Sequence, residues 1–249
     1  MNLPLISKLF LVLVFGLLVA SQKLRTPAEN AKLIADLIVA PNAIGKIEIL
    51  SDDTDFVFDF YNPGQKRSQG NGGFAVGATK AVFPALVGNG IAMTVGILKP
   101  CGLNTPHTHP RATEFNLIVN GTGPILVGML QENGARFVMN HIIPGQSTVF
   151  PKGSIHFEQN LGCDDAFFVA AFSDEDPGTS QIAQNFFGAN SDGQAVFGMP
   201  SGIVGAALGG LGVVQVQDIQ SKIPKSIALG VRECLTKCGI QAPSYILEG

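Results

Sequence analysis

The sequence predicts an all-β protein, a jelly-roll β-barrel with a short N-terminal helix before it and C-terminal helices after it. Two observations predict this class: short runs rich in Val, Ile and Phe, and glycine or proline between nearly all of them. The chain has 249 residues, 46% of them hydrophobic and 14% charged, enough to bury a full core in one domain. The formal net charge is −3 and no basic stripe occurs, so we expect neither nucleic acid nor an anionic membrane as a partner.

The N-terminus has the pattern of a signal peptide. Lys8 precedes an apolar run that begins at Leu9 and ends in Val19-Ala20-Ser21. The run is shorter than the about 20 residues that span a bilayer, and small residues at its end suit cleavage by signal peptidase. We therefore expect residues 1–20 to be removed and the mature protein to be secreted, to the extracellular space or a cell wall, without a membrane segment. An uncleaved signal anchor is the alternative.

A short helix is expected in the lead-in formed by residues 21–44. Thr26-Pro27-Ala28-Glu29 combines an N-cap, a proline at the first helical position and a capping-box glutamate. The apolar stripe that follows and stops before Pro41 contains Leu33, Ile34, Leu37 and Ile38.

The predicted barrel spans residues 45–200, and the predicted helical extension spans residues 201–249. Strands are expected at residues 47–49, 56–60, 92–98, 137–143, 148–150 and 166–172. In the extension, apolar residues from Ile227 to Cys238 recur at helical spacing, and Gly239 is placed to end that helix. Such a tail packs either on its own barrel or on a neighbouring chain.

Three histidines and one glutamate form the most informative pattern in the chain. His107 and His109 are two residues apart, so on a strand both imidazoles face the same side and can bind one ion. Glu114 has the opposite parity, but Pro110 lets the chain turn and bring the carboxylate back on a neighbouring strand. We expect the fourth ligand to be His156, on a strand opened by the turn Pro151-Lys152-Gly153. His141 lies outside this pattern and is interpreted as an ordinary strand histidine.

These residues make the chain resemble the cupin superfamily. The first cupin motif of germins reads G-(x)5-HxH-(x)4-E-(x)6-G, and residues 102–121 match it with one residue fewer before the first histidine. The second motif is matched at every fixed position by residues 145–160. Residues 105–114 and 172–178 are similar to germin-like proteins and to the spherulins of fungi and slime moulds. The resemblance covers roughly residues 45–200, and it implies a one-cupin jelly roll.

The predicted ligand set suits catalysis better than a closed structural site. Three imidazoles and one carboxylate leave two positions open on a six-coordinate ion. Mixed nitrogen and oxygen ligation suits manganese or iron, with zinc also possible, and the resemblance favours manganese. It also implies superoxide dismutase-like or oxalate oxidase-like activity, on superoxide or a small dicarboxylate.

Two further residues are predicted to be catalytic. Germin oxalate oxidases place two asparagines near the metal; the nearer aligns with Asn104 and the farther with Thr94, a departure that weakens the case for oxalate. Glu158 lies two residues beyond His156 and should face the barrel interior. It either relays protons or only accepts hydrogen bonds that orient a ligand or a water molecule.

The sequence leaves a second class of function open. Spherulins are associated with spores and cysts, and plant relatives include storage proteins, so the chain is alternatively a structural or binding protein whose metal stabilises the fold. The germin resemblance also implies a homo-oligomer, a trimer or a hexamer, in which the C-terminal helices pack on neighbouring subunits.

The resemblance brings Cys101 near Cys163, because the strand with His107 pairs antiparallel with the strand with His156, and we predict a disulfide between these cysteines. Cys234 and Cys238 are one helical turn apart; a strained bridge between them and two buried thiols remain open. Asn120-Gly121-Thr122 is both a glycosylation sequon and a good hairpin turn, so glycan occupancy is also left open.

Overall fold

The structure is a computed structural model of the chain, and it describes residues 22–189 and 198–243. The expected signal peptide, residues 1–20, lies outside the described residues. Among the described residues, no helix combines the length and the apolar character needed to cross a membrane.

Two antiparallel six-stranded sheets form the body of the fold, which confirms the expected all-β, jelly-roll class. One sheet has the strand order β1-β2-β3-β10-β5-β8, and the other has the order β11-β4-β9-β6-β7 with β12 also paired to β4. The strands are β1 Ser68–Gly70, β2 Gly73–Ala78, β3 Ala92–Leu98, β4 Gly102–Thr108, β5 Glu114–Asn120, β6 Ile125–Leu130, β7 Val138–Ile142, β8 Ser147–Phe150, β9 Ile155–Asn160, β10 Ala166–Phe172, β11 Ser180–Gln181 and β12 Ala228–Leu229.

The main core lies between the two sheets. Along β10, buried and half-buried side chains alternate, because successive side chains of a strand point to opposite faces. Each phenylalanine buried in this core stabilises the fold by roughly 1.5–3 kcal/mol through removal of apolar surface from water. The core residues are Ala92, Leu98, Ala112, Ile118, Ile125, Val127, Ile142, Phe150, Ala166, Phe168, Ala170, Phe172 and Ile227.

The N-terminal lead-in contains the expected helix, α1 Pro27–Val39. Thr26 caps it, and the Thr26 and Glu29 side chains make the reciprocal hydrogen bonds of a capping box. A second helix, α2 Ala43–Ile49, occupies the segment that we expected to form a strand at residues 47–49. The Asn42 side chain accepts a hydrogen bond from the backbone of Gly45 and starts this helix, which a three-residue apolar alternation is too short to reveal.

The expected strand at residues 56–60 is also wrong. A short 3₁₀ helix, Asp53–Phe56, ends there, and the first strand of the barrel begins only at Ser68. A separate small core forms where Leu37 of α1 and Leu50 at the end of α2 are buried against Val87, which follows β2 in the chain. Residues 45–67 therefore extend the lead-in and contribute no strand to the barrel.

The chain after the barrel is mainly helical, with α3 Ile182–Phe187, α4 Ser201–Ala207, α5 Val213–Lys222 and α6 Arg232–Lys237. The single apolar helix expected from Ile227 to Cys238 is only partly present. Ile227 enters the main core and β12 pairs with β4, so the helix begins later, and Gly239 follows it with φ of +65°. Residues 227–238 thus pack on their own barrel.

The predicted disulfide between Cys101 and Cys163 is wrong. The bonds are Cys101–Cys234 and Cys163–Cys238, with Cα–Cα distances of 5.7 Å and 5.3 Å. The two barrel cysteines do lie close together, since the Cys101 backbone N–H donates to the Gly162 carbonyl oxygen at 3.3 Å. Helix α6 packs over them, and its two cysteines, one turn apart, each bond to one barrel cysteine. Neither alternative considered for Cys234 and Cys238 is therefore correct.

Candidate metal centre

Three strands bring the four predicted ligands together. His107 on β4 is the cross-strand partner of His156 on β9, and His109 follows directly after β4. Glu114 begins β5 in the opposite sheet, so its carboxylate reaches the histidines across the barrel interior. All four side chains are buried, between 2% and 6% exposed, and each offers one donor atom within 4.8 Å of the others.

Backbone carbonyl groups fix the orientation of all three imidazole rings. In His107 and His156, Nδ1 lies 2.9 Å and 3.0 Å from the carbonyl oxygen two residues earlier. In His109, Nδ1 contacts the carbonyl oxygen of Gly178. A carbonyl oxygen only accepts, so Nδ1 carries the proton in each neutral ring and the lone pair is on Nε2. This arrangement is typical of histidines that bind a metal through Nε2.

The Nε2 atoms face a carboxylate, and this donor set fits a cation. Oε2 of Glu114 lies 3.0 Å from Nε2 of His109 and 3.2 Å from Nε2 of His156. Lone pairs held at that separation in a buried site repel each other unless a positive charge lies between them. A divalent metal ion supplies that charge, and three nitrogens with one oxygen suit manganese, iron or zinc.

Burial keeps the His107 ring neutral, and so able to bind a metal, over a wide pH range. Desolvation, together with the nearby His156 and His109, lowers the pKa of His107 to about 3, so its ring is neutral at ordinary pH. For Glu114, burial acts to raise the pKa, but in the metal-free site the neighbouring His109 and His156 rings outweigh it and hold the pKa well below its usual range.

Aromatic rings pack against two of the histidines. Phe150 stacks on His156 with ring centroids 4.2 Å apart and an interplanar angle of 15°. Phe172 contacts His109 at a centroid distance of 4.6 Å. Both rings belong to the main core, which holds these imidazoles in place and keeps the local dielectric low.

A second row of polar side chains lies behind the ligands, and sequence reasoning missed its central member, Asn116. This residue is 1% exposed, and its Nδ2 donates to Glu114 at 3.0 Å and to Glu158 at 3.3 Å. Its position two residues after Glu114 on β5, hence on the same face, was the available signal. Asn116 therefore connects the predicted carboxylate ligand to the second buried carboxylate.

Glu158 faces the barrel interior, as expected, and is 3% exposed. It accepts a hydrogen bond from Nδ2 of Asn104 at 3.0 Å, in addition to the one from Asn116. Desolvation and the charge of Glu114 raise the pKa of Glu158 well above its ordinary value, against the opposing effect of these two amide hydrogen bonds.

A cavity of about 370 Å³ opens beside the predicted ligands. Asn104 and Thr94 line it together with three of the four ligands, whereas Glu158 is not among its lining residues. Lys66 and Arg67 supply positive charge to the wall. The site thus combines a buried donor cluster with a chamber large enough for a small molecule.

The sequon and His141 lie away from this cavity. Asn120 is exposed at the end of β5, where its Oδ1 accepts a hydrogen bond from the backbone of Phe167 at 3.1 Å. Gly121 adopts a φ of +146°, and the Thr122 hydroxyl donates to Asp164 at 2.6 Å, so these residues serve a turn. Occupancy of Asn120 by a glycan stays a prediction. His141 is exposed on β7.

Comparison with known proteins identifies the family. The family model described as Cupin matches residues 58–198, and the chain belongs to this family. It is a germin-like, spherulin-type cupin. It is 40% identical to Spherulin-1A of Physarum polycephalum over 216 residues, which cover 87% of this chain and 82% of that protein. It is 34% identical to Putative germin-like protein 3-2 of Oryza sativa subsp. japonica over 173 residues, covering 68% and 72% of the two chains.

A solved structure shares the fold as well. An oxalate oxidase in complex with the substrate analogue glycolate matches with a TM-score of 0.58 and 29% sequence identity. The match covers 69% of this chain and 81% of the oxalate oxidase chain. The resemblance inferred from the two histidine motifs is confirmed.

Proposed function

We propose that the protein is a secreted, metal-binding oxidoreductase in which His107, His109, Glu114 and His156 bind one manganese ion. Its activity is superoxide dismutase-like or oxalate oxidase-like. The convergence of three Nε2 lone pairs and one carboxylate oxygen carries the proposal. Bound manganese would supply an open coordination position and a change of oxidation state, which both reactions need. Iron and zinc are the other ions that this donor set suits.

The cavity beside the ligands supports a small anionic substrate, either superoxide or a small dicarboxylate. Lys66 and Arg67 line it, and positive charge attracts anions and raises their local concentration. The likeness to an oxalate oxidase that binds glycolate supports the carboxylate. Thr94 lines the same cavity, where germin oxalate oxidases are expected to have their second asparagine.

Asn104 and Glu158 are proposed to act as a pair. The Asn104 amide faces the cavity, and Glu158 behind it accepts one of its two amide hydrogens. Glu158 therefore orients Asn104 toward substrate. The raised pKa of Glu158 also makes it a better proton donor group than an ordinary, ionised carboxylate, and a peroxide-forming reaction consumes protons.

Metal analysis combined with replacement of one ligand tests the metal centre. We expect about one manganese per chain in the purified protein and none in His109→Ala, because loss of one of four ligands weakens binding severely. His141→Ala, at an exposed histidine on β7, is the matched control and should keep its metal. Full metal content in His109→Ala would contradict the assignment of the ligands. Iron or zinc at full occupancy in the wild type would show that the bound ion is not manganese.

The same sample separates the enzymatic proposal from a structural one. The similarity to Spherulin-1A favours the alternative that the protein is a spore- or cyst-associated structural protein, or a storage or binding protein, with a metal that only stabilises the fold. Full manganese content without superoxide or oxalate turnover supports that alternative. Turnover that disappears in His109→Ala supports the enzyme.

Secretion is proposed from the apolar run at residues 9–20 and from the cysteines. All four cysteines form disulfides, which persist in oxidising compartments such as the extracellular space. Mass spectrometry of protein from the culture medium should give a mature N-terminus after Ala20 or Ser21. An intact N-terminus on membrane-bound protein would contradict secretion.

We also propose that the protein is a homo-oligomer, a trimer or a hexamer. An apolar row crosses the outer face of one sheet, where Met93, Ala171, Phe115 and Val149 are neighbours on four adjacent strands. Three of these side chains are 40–57% exposed, which favours burial against another copy of the chain. Residues 227–238 are attached to their own barrel by β12 and by both disulfides, so this row is a better contact surface than that part of the tail.

A further inference from the structure

Gln181 lies next to the metal ligands and is supplied by the chain that follows the barrel. On β11 it is the cross-strand partner of His107, it is 8% exposed, and it lines the cavity. Neither histidine motif includes it.

A chain of hydrogen bonds fixes which end of the Gln181 amide faces the cavity. Gln184 donates through Nε2 to the carbonyl oxygen of Pro224 at 2.9 Å and to the Thr105 hydroxyl at 3.4 Å. The Thr105 hydroxyl is 2.6 Å from Oε1 of Gln181, a separation typical of an O–H···O bond, so Thr105 donates to Gln181. The amide oxygen of Gln181 is thereby engaged. Its Nε2 makes no hydrogen bond to any residue that the structure describes, and both of its hydrogens remain available.

Asn104 is oriented in the same sense by a different pair of residues. Its Nδ2 donates to Glu158 at 3.0 Å, and its Oδ1 accepts from the Ser226 hydroxyl at 3.3 Å. The other amide hydrogen of Asn104 has no acceptor among the residues that the structure describes. The two orienting hydroxyl groups are adjacent, since the Thr105 backbone N–H donates to Ser226 at 3.4 Å. Strand β4 and the C-terminal segment together aim both amides.

The charges along the cavity wall also favour a ligand that is anionic and accepts hydrogen bonds. Lys66 and Arg67 are cationic, whereas both acidic residues in the described part of the wall already have partners. Glu114 contacts the histidines, and Asp176 accepts a hydrogen bond from Arg111 at 2.9 Å. Two amide donors on the wall of one cavity can each donate to an oxygen of a carboxylate, and charge-assisted hydrogen bonds of this kind are the stronger ones.

We propose that Asn104 and Gln181 bind the carboxylate of a small organic acid, and that Gln181 determines this specificity. The inference rests on the proposed function, because the cavity contains the metal ligands. It assigns a carboxylate rather than superoxide as the substrate class, and it provides a second amide where Thr94 offers only a hydroxyl.

Calorimetric titration of the manganese-loaded full chain with glycolate tests this proposal. Gln181→Glu keeps the oxygen that accepts from Thr105 and replaces the donor with a negative charge, while Gln181→Met removes the donor without adding charge. We expect the glycolate dissociation constant to rise about tenfold to a hundredfold in both variants, the effect of losing one hydrogen bond to a charged group. Gln217→Glu, with the same charge change at an exposed position of α5, should match the wild type.

A second anion shows whether the effect is specific for carboxylates. Azide has no carboxylate, so its dissociation constant should change by less than about twofold in Gln181→Met. Glycolate affinity within twofold of the wild type in both Gln181 variants would overturn the proposal. Equal losses for azide and glycolate in Gln181→Met would overturn it too, as would a fully manganese-loaded wild type that binds no glycolate.

Metal content, measured on each sample first, keeps the two proposals apart. Chains that take up neither manganese, iron nor zinc contradict the proposed metal centre. A metal-free wild type that binds no glycolate contradicts both proposals. If it does bind glycolate, equal affinity in Gln181→Met contradicts only the role of the amides.

Discussion

Removal of either disulfide should destabilise the protein strongly, and the buried bond should cost more. Cys101–Cys234 joins residues 133 apart in sequence and Cys163–Cys238 joins residues 75 apart. In the chain-entropy model at 25 °C, closing loops of these sizes stabilises the fold by about 5 and about 4.5 kcal/mol. Burial separates the two bonds further. Cys101 and Cys234 are 0% and 5% exposed, so replacing both with alanine also leaves a small cavity, whereas Cys163 is exposed.

Guanidinium unfolding of two paired variants measures these costs. Cys101→Ala with Cys234→Ala should lose 5 kcal/mol or more, a loss comparable to the whole stability of about 5–15 kcal/mol typical of a native protein. Cys163→Ala with Cys238→Ala should lose about 4.5 kcal/mol or less and stay folded. If the exposed pair proves the more costly, or if neither changes the free energy of unfolding, the reasoning is refuted.

Tryptic mapping without reductant tests the connectivity itself. Each cysteine falls in its own tryptic peptide, because Pro100 protects the bond after Lys99 and neither Lys nor Arg occurs between Lys152 and Lys222. We expect peptide 81–111 to be linked to 233–237, and 153–222 to 238–249. A thiol-blocking reagent must be present, since the sulfur atoms of Cys101, Cys234 and Cys238 lie within 4.8 Å of one another and exchange would scramble the pairs. A link between 81–111 and 153–222 would contradict the structure.

Three further predictions follow from the site and the outer sheet. The pKa of His107 falls from 6.5 to about 3 on folding, so between these pH values the unfolded chain binds more protons than the folded chain. Metal-free protein should therefore lose roughly a few kcal/mol of unfolding free energy as the pH drops from 6.5 toward 3. A metal-free His107→Gln variant should show a shallower slope, and equal slopes would contradict the shift. The Glu158→Gln variant should keep its metal. If Glu158 relays protons, turnover should fall strongly and its pH profile should flatten. If Glu158 only orients Asn104, KM should rise and the pH profile of turnover should be preserved. Phe115→Glu should give smaller species than the wild type in sedimentation velocity, and a monomeric wild type would contradict the oligomer.

The sequence predicted the parts of the site that depend on short spacing. His107 and His109 share a face because they are two residues apart, and the turn before His156 indicated a strand that pairs with theirs. The same logic reached Glu158. It could have reached Asn116, which has the same spacing from Glu114, but a lone asparagine carries no chemical signal by itself.

Long-range packing decided what the sequence could not predict. Residues 47–49 alternate like a strand, yet the Asn42 cap and the packing of half-buried Ile49 against the separate small core favour a helix. The register between β4 and β9 placed Cys101 near Cys163 correctly, but the position of α6 above both determined which sulfurs bond. Spacing along the chain cannot specify where a terminal helix docks.

The division between barrel and tail has a consequence for how relatives should be compared. The four predicted metal ligands lie within residues 107–156, inside the matched family region, so relatives with both histidine motifs should share metal chemistry. The amides of Asn104 and Gln181, in contrast, are oriented partly by residues of the tail. Ser226 belongs to the tail, and the backbone carbonyl of Pro224 anchors Gln184, which starts the hydrogen-bond chain to Gln181. Those contacts depend on a segment that β12 and two disulfides attach to the barrel. A relative that shares the barrel but lacks this attached segment can therefore keep the same metal and select a different ligand.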